Sequence, residues 1–229
     1  MTLNIKQAQA KKSNKTSPVP EEGVQLGVVV NVVDLGVQPG GMYQGAPKPD
    51  EHQIRITYEL PNDTHEFDGE QKPLLISETF KFSGSELSKC YKRLHGIDPG
   101  LKITGGDLAK LVGLAVQVMI VHRVGKGKHE GRVFANVAAV SPLMKGMKGP
   151  DETYNPQFFY SPSSHDEESW SKLPDFLKEI INNRLDATDK PVSASKPAPK
   201  PTPQGTADDE PPFEPDDLPN FTADGADEW

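Results

Sequence analysis

The chain has 229 residues, a formal net charge of -8, 22 Pro, one Cys and only 34% hydrophobic residues, a mixture expected of one folded domain diluted by unfolded appendages. The single cysteine, Cys90, excludes an internal disulfide and a multi-cysteine metal site, and one free thiol suits a reducing cytoplasm. Residues 1–20 lack the apolar run of a secretory signal, and the longest apolar stretch, Leu26 to Leu35, is short and broken by Asn31 and Asp34, so neither a membrane span nor a membrane partner is expected.

The net charge argues against a polyanionic partner only as an average. Residues 208–229 hold nine acids and no Lys or Arg, and removing them leaves 25 bases against 24 acids. Residues 102–148 hold eight bases and two acids. A locally basic body therefore carries an acidic tail, and it is the asymmetry that bears on partners.

Residues 1–22 are polar, with four Lys and two Pro, and read as a disordered arm. The β-branched run Val28 to Val33 predicts a first strand. Residues 36–51, with four Gly and three Pro, read as a long loop. Gln53 to Leu60 alternates, with Ile54, Ile56, Tyr58 and Leu60 on one face, and predicts a half-buried second strand. Pro61 to Lys72 reads as a polar connection, and Leu74 to Phe82 as a third strand with Leu74, Ile76, Phe80 and Phe82 inward.

A helix is expected next. Ser83 and Glu86 fit a capping box, Leu87, Cys90, Tyr91 and Leu94 form one buried stripe, and Gly96 ends the helix. Asp107 to Leu111 predicts a short helix, Ala115 to Val124 a fourth strand and Arg132 to Val140 a fifth, joined by a basic hairpin loop over residues 125–131. Five strands with helical material between the third and fourth predict a mainly-β fold, a five-stranded OB-type barrel spanning residues 23–150. A plain β-sandwich is the alternative. Residues 151–187 supply an aromatic segment and a C-terminal helix opened by Leu173-Pro174-Asp175, with Phe176, Leu177, Ile180, Ile181 and Leu185 on one side. Residues 188–207 have linker composition, and residues 208–229 read as a disordered acidic tail.

A search for catalytic motifs returns none. The zinc-protease, nucleophile-elbow and phosphate-loop spacings are absent, and the six His are scattered, so no catalytic residue, metal or cofactor is expected. The basic and aromatic residues are more informative. Single-strand binders need cations for phosphates and ring faces on which bases stack irrespective of sequence. The candidate DNA-binding set is Tyr43, Arg55, Lys81, Arg123, Lys126, Lys128, Arg132, Phe134, Asn136, Lys145 and Lys148. The bland alternative is that the cations solubilise a hairpin and Phe134 is core. In the tail, Asp208, Asp209, Glu210, Phe213, Asp216, Asp217, Phe221, Asp227, Glu228 and Trp229 form acidic-aromatic units, in which Phe213, Phe221 and Trp229 are expected to anchor in a partner pocket.

The order of several segments resembles a family of phage-encoded OB-fold single-stranded DNA-binding proteins. These segments are Val33-Asp34-Leu35-Gly36, Gly40-Gly41-Met42-Tyr43-Gln44-Gly45, the stretch His52 to Pro61, Ile76 to Phe80, Leu111-Val112-Gly113, Val121-His122 and Phe134 to Leu143, within residues 24–185. The tail is similar in kind to those of bacterial and T7-type single-stranded DNA-binding proteins, although Trp229 stands where those end in Phe and Asn220 interrupts the Leu-Pro-Phe order. The resemblance implies a role in phage DNA replication, recombination or repair in the cytoplasm of the infected bacterial host. It also implies recruitment of phage or host replication and recombination proteins through the tail. A protein-only adaptor and a strand-annealing recombination protein are the competing readings, and a homodimer is left open.

Overall fold

The computed structural model describes residues 18–187, leaving Gln44 and Asp68, and the side chains of Tyr43 and Lys128, outside the description. Arm residues 1–17, the linker and every tail residue named above also lie outside it.

The described residues form eight strands and three α-helices. In chain order these are β1 (Gly23–Gln38), β2 (Met42–Tyr43), β3 (Ala46–Pro47), β4 (Glu51–Phe67), β5 (Glu70–Lys81), α1 (Lys89–Ile97), β6 (Ala115–Val124), β7 (Val133–Pro142), β8 (Phe158–Tyr160), α2 (Glu167–Lys172) and α3 (Asp175–Asn182). The fold is mainly β. The five long strands pair antiparallel in the order β5-β4-β1-β6-β7. β1 gives one edge to β4 over residues 28–38. Its other edge goes first to β6, over residues 23–28, and then to β8, which adds in parallel at Asn31 to Val33. As hydrogen-bonded, the sheet is open, but it curls until its end strands β5 and β7 lie against each other.

The alternation read in β4 is what builds the core. Ile54, Ile56, Tyr58 and Leu60 are each at most 1% exposed and pack with Val29, Val32, Ile76, Phe80, Val118 and Ile120 inside the curl. β1 is buried on both faces, which is why it reads as a continuous apolar run and not as an alternation. Its outer face, at Val33 and Leu35, meets a second core made by Phe158, Tyr160, Leu173, Leu177 and Ile181. α1 closes one end of the curl through a buried ion cluster. Glu78 accepts hydrogen bonds from the Tyr58 hydroxyl (2.9 Å) and from Arg93 Nη2 (2.8 Å), and it faces the Lys89 ammonium at 3.2 Å. Burial, with the Glu78 carboxylate beside it, holds the Tyr58 phenol well above its usual pKa, so it serves as a donor. Arg93 Nη2 also donates to the Val137 carbonyl, tying α1 to β7.

Several sequence expectations are corrected. The helix starts at Lys89, not Ser83. Ser88 caps it by accepting the Tyr91 N–H, and its own hydroxyl reaches back to the carbonyls of Ser83 and Ser85. Of three competing serines, the one that turns Cys90, Arg93 and Ile97 inward wins, and Leu87 is left 85% exposed. Gly96 does not end α1. A Cβ there would stand 2.3 Å from the Val140 carbonyl oxygen, so glycine is needed for the close approach of helix and strand. The loop over residues 36–51 contains the small β2–β3 hairpin, and the connection over residues 61–72 is an extension of the β4–β5 ladder as far as Phe67 opposite Glu70. Phe82, Phe176 and Leu185 are about half exposed instead of buried, and Pro174 is the N-cap of α3.

Candidate nucleic-acid interface

Where β5 and β7 approach each other, a cleft of about 270 Å³ remains. It is walled by Leu75 to Ser77 of β5, Val133 to Ala135 of β7, Arg55, Arg132 and the incoming segment Pro18 to Pro20. Period-two geometry decides what faces it. On β4 and β5 the residues opposite the core set pair across the ladder as Gln53 with Lys81, Arg55 with Thr79, Thr57 with Ser77 and Glu59 with Leu75. This outer face is polar, and Thr57 and Ser77 share a hydroxyl contact of 2.9 Å. Glu59 is spent structurally, accepting the backbone N–H groups of Tyr154 (2.9 Å) and Asn155 (2.7 Å).

Arg55 is partly buried, and burial lowers its pKa from the usual arginine value, although a guanidinium remains protonated under such conditions. Its Nη1 donates to Thr79 Oγ1 at 3.2 Å, and its charge stands 5.7 Å from the centroid of the Phe176 ring on α3. Arg132 lies 5.0 Å from the centroid of the Phe134 ring. Among the described residues no carboxylate pairs with either guanidinium. Phe134 is not core. Its side chain is on the outer face of β7, half-buried under Arg132 and the edge of His129. Gly125 makes this possible, because a Cβ there would stand 2.9 Å from Phe134 Cε2.

The remaining candidates divide. Lys81 lies on the same outer face as Arg55 but is paired with Glu51 at 3.2 Å. Arg123 is opposite Phe134 in the β6–β7 ladder, and Lys126 is exposed in the loop beyond it. Asn136 is exposed on β7, two residues along from Phe134. Tyr43 belongs to the β2–β3 hairpin and Lys128 to a single 3-10 turn at Gly127–His129. Lys145 and Lys148 do not join them. They follow Pro142, which pairs with Val116, whereas Arg123 and Arg132 flank the opposite end, where Val124 pairs with Val133. Eight residues of strand at ~3.3 Å each separate the two ends by roughly 26 Å. The basic run over residues 102–148 is therefore two patches.

Phe176 is the site residue that the sequence reading missed. Apolar residues at 176, 177, 180 and 181 form one stripe about 140° wide at 100° per residue, of which only Leu177 and Ile181 are buried. Phe176 stands at the edge of that stripe, which is the one signal the sequence offers.

A second polar constellation has the composition of a hydrolytic triad without its order. Asp34 is central, accepting from His52 Nε2 (2.6 Å), from the Ser161 hydroxyl (2.8 Å) and from the Gly36 N–H (2.8 Å). The serine donates to the carboxylate and not to an imidazole, so nothing in this arrangement activates it as a nucleophile. The arrangement pins β4 and the segment after β8 to β1. Among the described residues no three His, Cys, Asp or Glu side chains stand close enough to hold a metal ion, and no helix is long and apolar enough to cross a membrane.

No protein-family model, no curated protein and no solved structure matches this chain.

Proposed function

We propose that the chain binds single-stranded DNA with little sequence preference, without catalysis, and recruits other proteins through its acidic tail. The observation that carries this reading is the pair Arg55 and Arg132. They are two guanidiniums on one cleft with no carboxylate partner among the described residues, each accompanied by an aromatic ring. A cation that is costly to desolvate and has no internal counter-ion suits an external anion, and the adjoining rings offer faces to bases of any identity.

The strand order supports an OB-type barrel left open between β5 and β7, with α1 between the third and fourth long strands. That architecture binds oligonucleotides on the face of its second and third strands and with the loops after strands one and four. The corresponding places here hold Arg55 and Lys81 on β4–β5, Tyr43 in the loop after β1, and Lys126 and Lys128 in the loop after β6. A role in phage DNA replication, recombination or repair within the host cytoplasm belongs to the same proposal, as does docking of replication and recombination proteins on Phe213, Phe221 and Trp229.

The test is fluorescence anisotropy of labelled oligo(dT) with the full chain across a salt series. Saturable binding that weakens linearly in log salt is expected, with no consumption of nucleotide. Absence of a salt-dependent shift overturns the proposal in favour of a protein-only adaptor, and rapid pairing of complementary strands moves it to an annealing protein.

A further inference from the structure

The sheet is open between β5 and β7, and register fixes which backbone groups face the opening. In an antiparallel pair, residues that exchange hydrogen bonds with the neighbouring strand alternate with residues whose N–H and C=O point away from it. The Phe82 N–H donates to the His52 carbonyl at 2.7 Å, so that pair is hydrogen-bonded. The register runs without a break from there to Leu60 opposite Leu74, which makes Phe80, Glu78 and Ile76 the next residues bonded to β4. Leu75, Ser77 and Thr79 therefore turn their N–H and C=O away from β4. On β7, the Gly125 N–H donates to the Arg132 carbonyl at 2.7 Å, and the same count makes Phe134 and Asn136 the residues bonded to β6. Val133, Ala135 and Val137 turn their backbone groups away from β6.

The far part of this β7 edge is covered. Arg93 of α1 donates to the Val137 carbonyl at 3.1 Å, as the alternation requires, and Gly96 brings α1 against the Val140 carbonyl. The near part is open. Leu75, Ser77, Val133 and Ala135 all line the cleft. Among the described residues no strand pairing joins β5 to β7, and no backbone hydrogen bond reaches either edge from residues 18–20. Pro18 and Pro20 lack an N–H and cannot donate to the edge carbonyls. The cleft is thus lined by two unpaired strand edges together with Arg55 and Arg132.

We infer that these strand edges take the pairing edge of an unpaired nucleobase. A phosphate only accepts hydrogen bonds, and the carbonyls beside the edge N–H groups repel it, so phosphates fall to Arg55 and Arg132. A nucleobase of any identity carries at least one donor and one acceptor on its pairing edge, which matches an alternation of N–H and C=O. In a duplex that edge is already engaged by the complementary base. The substrate class is then nucleic acid with unpaired bases, selected by main-chain groups and indifferent to sequence. This rests on the single-strand-binding reading of the cleft.

The experiment titrates the full chain with labelled oligo(dT) and with the same oligonucleotide built from N3-methylthymidine, each over a salt series. The methyl group removes the donor and obstructs the pairing edge, while phosphates and ring faces stay. A net hydrogen bond is worth roughly two- to tenfold in affinity, so losing two should weaken binding of the methylated strand roughly five- to a hundredfold, with the salt slope unchanged. Val133→Pro deletes one edge N–H at a place where a strand edge tolerates proline. It should weaken oligo(dT) binding roughly two- to tenfold and leave binding of the methylated strand unchanged. Val133→Ala keeps the N–H and should bind as the natural chain does. Melting curves accompany each variant, and the comparison of the two strands on the natural chain decides the matter even if the proline variant does not fold. Equal affinity of the natural chain for both strands overturns the base-edge contact and leaves the cleft reading standing. So does a folded proline variant that binds like the natural chain, or equal losses in the proline and alanine variants. Absence of salt-dependent binding to either strand brings both readings down together.

Discussion

Arg55 on β4 and Phe176 on α3 come from opposite ends of the folded chain, and the guanidinium stands 5.7 Å from the centroid of the ring. This relationship links the outer face of the sheet to the helix that packs on β1. It also puts a half-exposed ring beside a partly buried charge, whereas at the other pair the exposed Arg132 lies over the half-buried Phe134 ring.

If the two rings stack on bases, Phe176→Ala and Phe134→Ala each lose about 1–3 kcal/mol of oligo(dT) affinity. Phe176 is half exposed, so its truncation should move stability by no more than ~0.5 kcal/mol, as surface changes do. Anisotropy titration paired with thermal melting separates the two effects. Full affinity in both variants would remove the rings from the interface.

The division of the basic run gives a positional test. Replacing Arg123, Lys126, Lys128 and Arg132 by Ala should flatten the salt dependence by up to ~0.7 per contact, whereas Lys145→Ala with Lys148→Ala, at the other end of the β6–β7 ladder, should flatten it less. The reverse ranking would move the interface to the far end of the ladder.

Deleting residues 208–229 removes nine acids with no Lys or Arg among them. The linker over residues 188–207 permits at most roughly 70 Å of reach, enough for the acids to approach the cleft as a phosphate mimic. The truncated chain should bind oligo(dT) more tightly at low salt, with the difference shrinking as salt is added, and should no longer recruit partners. Equal low-salt affinity of the two chains refutes the competition and leaves the docking role intact.

Glu78 and Arg93 are a buried pair, and removing Arg93 leaves the Glu78 carboxylate with only the Tyr58 hydroxyl and the half-exposed Lys89 ammonium. Arg93→Met should cost about 3–5 kcal/mol in urea unfolding, and adding Glu78→Leu should recover much of that. A single variant of unchanged midpoint would show that the pair does not hold α1 in place.

Burial alone would raise the Asp98 pKa, but hydrogen bonds from the backbone and hydroxyl of Thr104 and from the N–H groups of Ile103 and Lys102 outweigh it and lower the carboxyl below its usual value. A depressed folded-state pKa contributes stability above the unfolded value of about 3.9, and that contribution is lost as pH falls through the folded value. The melting temperature should therefore drop below about pH 4, and Asp98→Asn should melt lower at neutral pH while losing less on acidification. Parallel melting-against-pH curves for the two proteins would show that Asp98 does not carry this dependence.

The elements were legible where burial is periodic. Alternation at Ile54, Ile56, Tyr58 and Leu60 marked the inner face of β4, and the unbroken run from Val28 to Val33 marked a strand covered on both sides, because each pattern is local to its own strand. Tyr43, Arg55, Arg123, Arg132 and Phe134 were likewise visible as a residue class. What the sequence could not supply was neighbourhood. Only the tertiary structure brings Pro18, Arg55, Leu75 and Phe134 to one cleft, since ladder register and the curl of the sheet depend on pairings far apart in the chain. The same holds for the separation of Lys145 and Lys148 from Arg132, for Ser88 displacing Ser83 as the cap, and for Phe176 pointing out. In each case the local signal allowed more than one outcome, and contacts with a distant strand or helix selected among them.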